Sequence, residues 1–370
     1  MENFTAENYH KILSKDFPEF LNDYIHLPLL SRLKNVSLLC GTDFTPLFHN
    51  HFKYSRLEHS LGVALITWNF THNKKQTLAS LLHDVSTPAF SHVSDFRNGD
   101  ALTQESTENL NKKFIDENPE LKILLAKDKI SCSEVDNYHI YPVCDNECPG
   151  LSADRLEYMY PSGAALDKVW NLSDVKKNYS HILVLKNEKQ FDELGFDSEE
   201  EALLYTKKFC DISLILQHNE DKIAMQLMAD ILSCAIKNRI VNENDFYEKG
   251  EIELMKIFDD FASSKTDLEF SKLFWTYTNM TEIIHSEEKI PDSYCISLKV
   301  KKRYVDPLVM IDKNSKQAKR ISQINQDANK CIKNFLAWED SKFACVKYFD
   351  EDLRHTAVRN DINSKKNDLL

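Results

Sequence analysis

Apolar residues recur at helical spacing through most of the first two-thirds of this chain, and that period points to packed helices rather than sheets. Phe20, Leu21, Tyr24 and Ile25 form one short amphipathic segment, and Leu29, Leu30 and Leu33 form another beyond Pro28. From Tyr54 to Asn73 the pattern returns in Leu57, Leu61, Ala64, Leu65 and Trp68. Gln76 to Val85 sets Leu78, Leu81, Leu82 and Val85 on one side. It reads as a buried helix that ends at Ser86–Thr87–Pro88, because proline cannot continue a helix. Residues 100 to 128 read as a polar-faced helix with its connection, and 129 to 149 as a loop. Ser152 has the residue type of an N-cap for a helix beginning at Ala153. Glu200–Leu216 and Glu220–Ile236 read as long helices.

Beyond about residue 285 the character changes. Ser293 to Val309 alternates in part and is rich in β-formers, Gln323 to Leu336 is helical again, and the end, DINSKKNDLL, reads as a frayed tail. The expected fold is mainly α: a helical core with N-terminal helices over 1–285, and a small α+β subdomain with its tail over 286–370.

Composition narrows the function. The chain has only 7 glycines in 370 residues, with no G-x-G-x-x-G and no G-x-x-x-x-G-K-[ST]. Loops that cradle phosphate on backbone amides need clustered glycines, so phosphate here must be held by side chains or a metal. A formal charge of -12, with lysines scattered among acids, argues against nucleic acid as a bulk partner. Met1 to Phe17 is polar, no apolar run approaches a membrane span, and the 9 cysteines are unevenly spaced. The expectation is a cytoplasmic protein with free thiols and no membrane partner.

The chemistry concentrates in RLEHSLGV, Arg56 to Val63, and LLHDVSTPAFSHVSD, Leu81 to Asp95. His83 and Asp84 end an apolar helix, where an ionisable pair is costly unless something satisfies it. A divalent metal does so, since imidazole and carboxylate are both good ligands. His59 on a separate helix can reach the same ion, and Asp154 in the first turn of a later helix can add a carboxylate. Cys132, Cys144 and Cys148 with His139 lack a C-x-x-C knuckle and make a poor zinc cluster. The KVKKR run, Lys299 to Arg303, reads as a solvated strand face.

Together with SRLKNVSLL near Ser31, DRLEY at Asp154–Tyr158 and QHNEDKIAMQLMADIL from Gln217, these motifs resemble the HD superfamily of metal-dependent phosphohydrolases, over roughly residues 25 to 240. The nearest branch is that of the deoxynucleoside triphosphate triphosphohydrolases. The resemblance implies an HD-domain helical core with one divalent ion (Fe, Mn, Zn, Ni or Mg) on His59, His83, Asp84 and Asp154. It implies phosphate contacts at Arg56, Arg155 and Tyr158, with a weaker match at Lys208. It also implies a nucleotide or related phosphate substrate, and homo-oligomerisation, which is common in that branch.

Two positions depart from the family pattern. Where the branch has HDxxHxPFSH, this chain has Thr87, and a later family histidine falls at Gln104 beside Glu105. Neither Thr nor Gln titrates near neutral pH. Both are then substrate-binding candidates, and His92, Asp95 and Glu105 become the acid–base candidates. Three readings stay open: a hydrolase with rearranged acid–base groups, a metal- and nucleotide-binding sensor without activity, and, last in rank, an HD-type oxygenase.

Overall fold

The computed structural model describes residues 3–104, 110–264, 266–312, 314 and 317–349. The tail and Glu105 lie outside the described residues. Helices dominate the rest, as the apolar period requires.

The centre is a helical hairpin. Ser55 and Glu58 form a capping box that starts Arg56–Thr71, and His72 ends it in the left-handed region. Asn73 then caps Lys74–Leu82, whose side chains from Thr77 to Leu82 are all buried. Ser152 caps Ala153–Leu166, which lies along the first of these helices. Glu199–Ile215 and Asn219–Lys237 follow at nearly the predicted bounds. The helix expected over 100–128 is instead two, Asn111–Glu117 and Pro119–Lys127, because Asn118 caps the second before proline.

Two small sheets flank the helices. In one, β1 (Ile182–Lys186) and β2 (Asp192–Phe196) form a hairpin. β2 pairs in parallel with β5 (Leu308–Asp312), which pairs with β6 (Gln317–Arg320). In the other, β7 (Phe343–Lys347) lies between β3 (Ile284–Ser286) and β4 (Ser293–Ile296), all antiparallel. The β1–β2 hairpin had no counterpart in the helical reading. The stretch read as strand-rich, Ser293 to Val309, is strand at Ser293–Ile296 and again only from Leu308, where β5 begins. Residues 297–307 are irregular, so the basic run is not a strand face.

The expectation of free thiols fails at one pair. Cys295 and Cys345 face each other across β4 and β7 and are bonded. Strand register brings them together across 50 residues of sequence, a proximity that spacing alone does not show. Among the described residues no helix is long and apolar enough to cross a membrane.

The apolar interior divides in two. One cluster joins the N-terminal helices, the hairpin and the 153–166 helix to β2. The other gathers Ala89 to Phe96 with the 219–237 helix, the helices of 251–279 and the β4–β7 sheet. The site described next lies at their seam, lined by residues from both.

Candidate metal centre and cavity

His59 sits one turn into its helix with its ring 2% exposed, and His83 closes the neighbouring helix. Their Nε2 atoms face each other at 3.2 Å. Asp154 Oδ1 lies 3.2 Å from His59 Nε2 and 3.8 Å from His83 Nε2. Asp84 Oδ2 lies 3.6 Å from His83 Nε2 and 3.8 Å from His59 Nε2. An ion about 2.0–2.2 Å from each donor spaces neighbouring donors by roughly 3.0–3.5 Å. His59, His83 and Asp154 therefore fit a divalent metal as they stand, and Asp84, held by Arg56, lies beside them and would join them by a shift of its carboxylate.

Both imidazoles are oriented for that role. His59 Nδ1 donates to Glu157 Oε2 at 2.5 Å, and His83 Nδ1 to the Ser80 carbonyl at 2.7 Å. With Nδ1 spoken for, each Nε2 lone pair points at the shared centre. Glu157 is fully buried and also accepts from the Tyr54 hydroxyl at 2.6 Å. His10 Nε2 lies 2.8 Å from that hydroxyl. The electrostatics agree. Burial opposes charge on His59, yet Glu157 and Asp154 push it up to about 10. Burial likewise opposes ionisation of Asp84 and Asp154. It is outweighed by His83, Arg56 and His59 at the first and by His59 and His83 at the second, so both carboxyls stay well below the usual range. A site this electron-rich draws a cation, and a metal displaces the proton.

The centre opens on a cavity of about 810 Å³. Arg56 lines it, with Nη1 3.0 Å from Asp84 Oδ2 and Nε donating to Ser91 Oγ at 3.1 Å. Arg155 lines it too. Its guanidinium is anchored on the Asn146 side chain and carbonyl, the Gly150 carbonyl and Asp145. Tyr158, Thr87, His92 and Gln104 complete the predicted residues on its wall. Thr87 Oγ1 donates to Asp84 Oδ1 at 2.9 Å, so it orients that carboxylate. Arg32 fixes the turn behind it by donating to the Val85 and Thr87 carbonyls at 2.6 and 2.9 Å. His92 Nδ1 lies 2.9 Å from Asp95 Oδ2. Burial lowers the His92 pKa, and Asp95 works against that.

Two predicted residues stand elsewhere. Asp95 is fully buried behind His92 and does not line the cavity, so it meets the cavity through that histidine rather than directly. Lys208 does not reach the cavity: its ammonium sits over the Trp170 ring at 3.9 Å and donates to the Val169 carbonyl. No three of Cys132, His139, Cys144 and Cys148 converge to ligand distance, which removes the zinc cluster.

Other lining residues escaped the sequence reading. Tyr138 stacks against His83, with ring centroids 5.2 Å apart, and His139 Nδ1 lies 2.8 Å from Asp145 Oδ2. Arg303, from the irregular 297–307 segment, donates to Gln104 Oε1 at 2.6 Å. Lys301 and Lys302 line the cavity beside it. The i, i+3 spacing of Asp154 and Glu157 was the available signal for Glu157, since it puts both on one helix face. Nothing local marks Arg303, which arrives from about two hundred residues away in sequence from Gln104.

With the geometry in place, the chain can be set beside known proteins. No protein-family model matches it. It is 26% identical over 299 residues to the uncharacterized protein YdhJ of Bacillus subtilis (strain 168), spanning 79% of this chain and 84% of the relative. A stretch of 133 residues, 35% of this chain and 37% of the relative, is 29% identical to the metal-dependent phosphohydrolase cns2 of Cordyceps militaris. Among solved structures, a hypothetical protein from Aquifex aeolicus superposes with a TM-score of 0.59 at 15% identity, covering 92% of this chain and 95% of that one. A phosphohydrolase from Bacteroides thetaiotaomicron superposes with a TM-score of 0.58 at 15% identity, covering 89% and 95%. The chain shares its fold with these two structures. The mainly helical expectation with small sheets is thereby met.

Proposed function

We propose that this chain is an HD-superfamily metal-dependent phosphohydrolase that cleaves a phosphate ester or anhydride of a small molecule, with nucleotides as the substrate class. One observation carries the reading: two imidazoles and two carboxylates converge at the wall of a large cavity whose other sides present Arg56, Arg155 and Arg303. The relative named as a metal-dependent phosphohydrolase and the fold shared with a phosphohydrolase support it.

A divalent metal held by His59, His83, Asp84 and Asp154 would lower the pKa of a bound water and polarise a phosphoryl oxygen. Everything else falls to the protein. Arg56 lies beside Asp84 and can meet phosphate oxygens next to the ligands. Arg155 is held rigid by its loop, and Arg303 meets no carboxylate among the described residues, so its charge is available to phosphate. His92, backed by Asp95, is the cavity group suited to carry a proton. Thr87 and Gln104 cannot take that part, because their hydrogen bonds serve Asp84 and Arg303. The two neutral side chains also favour a second reading, a sensor that binds metal and nucleotide without turnover.

The test is metal content by elemental analysis, followed by phosphate, pyrophosphate and triphosphate release from a nucleotide panel with Mn, Fe and Mg. The reading requires about one metal per chain and a released species, with both lost in Asp84→Ala. Metal with no release, but with stabilisation by nucleotide, would select the sensor. Full metal occupancy in Asp84→Ala would sink the ligand assignment.

A further inference from the structure

The cavity wall built by the end of the Glu199–Ile215 helix and the start of the Asn219–Lys237 helix differs from the metal wall. Leu216, Met225 and Val300 make it partly apolar. Into this surface come two polar groups that the hydrolytic chemistry leaves unused. Ser213 is 1% exposed and lines the cavity, and its hydroxyl has no hydrogen-bond partner among the described residues. Asp221 also lines the cavity; it is half-buried, and among the described residues its carboxylate takes part in no hydrogen bond or ion pair. Burial pushes Asp221 up to about 7, against the pull of Lys222 and Arg303. Buried polar atoms are almost always partnered, and each one left alone is costly. Ser213 is such a group, and beside it on the same wall Asp221 offers the cavity a carboxylate that no protein group engages among the described residues; together they mark a place where a ligand supplies the missing partners.

We infer that Ser213 and Asp221 are specificity residues that hold the organic, non-phosphate part of the substrate, and that this part presents an amino or hydroxyl donor to Asp221. The inference deepens the phosphohydrolase reading and rests on it for the phosphate end. A nucleoside and a sugar both offer such donors, so the shared chemistry is a donor-bearing polar group on a phosphate. A phosphate on a purely apolar group would leave Asp221 unsatisfied. Asp221 lies in the QHNEDKIAMQ stretch, and Ser213 stands four residues before the first residue of that stretch, Gln217.

The experiment measures binding rather than turnover. Full-length protein loaded with Mn is titrated calorimetrically with the nucleoside monophosphates, with glucose 6-phosphate and with inorganic phosphate. At least one organic phosphate is expected to bind more tightly than inorganic phosphate. Asp221→Ala and Ser213→Ala should each weaken that ligand, Asp221→Ala by about tenfold or more. Inorganic phosphate affinity and melting temperature should stay unchanged in both. Unaltered organic-phosphate affinity in Asp221→Ala overturns the inference. So does a wild type that binds every organic phosphate no more tightly than inorganic phosphate, or a parallel loss of both affinities. Binding as expected with no phosphate release would remove the hydrolase reading and leave this one standing. Nucleotide or sugar phosphate as the tighter ligand identifies the source of the donors.

Discussion

Glu157 shows how far a single residue controls this site. It touches no substrate, yet its carboxylate fixes the His59 ring through Nδ1 and is itself held by Tyr54. Burial raises its pKa and His59 draws it down, so the charge persists only as part of the pair. Glu157→Gln keeps the shape and loses the charge. It should weaken metal affinity by about 10–100-fold, read by competition with a chelator, while the helix content stays constant. Unchanged affinity would leave the His59 tautomer to some other group. The meeting of His59, His83, Asp84 and Asp154 was legible only through the ordered motifs taken together, because a His-Asp pair at the end of one apolar helix is common without a metal. Thr87 was legible only as an absence: its link to Asp84 depends on the turn held by Arg32. Lys208 misled because a basic residue at family spacing also fits a helix whose cation rests on Trp170.

At the scale of elements, the helices were readable wherever one face was apolar, and two features that build the site were not. The first is Gly62, in the middle of the His59 helix, where glycine costs about 1 kcal/mol relative to alanine. A Cβ at that position would overlap the Glu157 carboxylate, so the glycine is the gap through which Glu157 reaches His59. Gly62→Ala gains helix propensity yet should destabilise the fold by about 1–3 kcal/mol through overpacking, measured by denaturant unfolding. Its metal affinity should fall with it. A more stable variant with intact metal binding would show that the helices can part without consequence. The second is the turn after the HD pair. Phe90 and Ser91 both take left-handed φ, which non-glycine residues rarely adopt. The turn is held by Glu251, which accepts from the Phe90 amide at 2.8 Å, and by Arg56 on Ser91. Those partners come from both ends of the chain, so no local window could reveal them.

The whole molecule joins two apolar clusters, and its long-range ties decide how the cavity between them is kept. The Cys295–Cys345 bond staples the β3–β7–β4 sheet, which packs on the second cluster. Closing 50 residues of chain restricts the unfolded state by up to about 4 kcal/mol. Cys345→Ser should therefore lower the melting temperature clearly and leave metal content unchanged, since no ligand lies on that sheet. An equal melting temperature would mean that strand pairing alone suffices. The other tie runs inward from the N-terminal helix, Ala6–Leu13, through His10, Tyr54 and Glu157 to His59. Burial lowers the His10 pKa to about 4. The unfolded chain binds a proton at His10 below about 6.5, whereas the folded protein resists it until about 4. Stability from this group is therefore fully present above pH 6.5 and is lost as pH falls toward 4, by about 3 kcal/mol. His59, pushed up to about 10, stays protonated in the folded metal-free protein; it adds an opposite slope only near pH 6.5, where the unfolded chain begins to lose that proton, and the slope is common to wild type and variant. The measurement is urea unfolding of metal-free protein between pH 4 and 6.5, wild type against His10→Gln. The wild type should lose stability more steeply on acidification. Parallel curves would mean that His10 takes up its proton in place and that the inward tie ends at Tyr54.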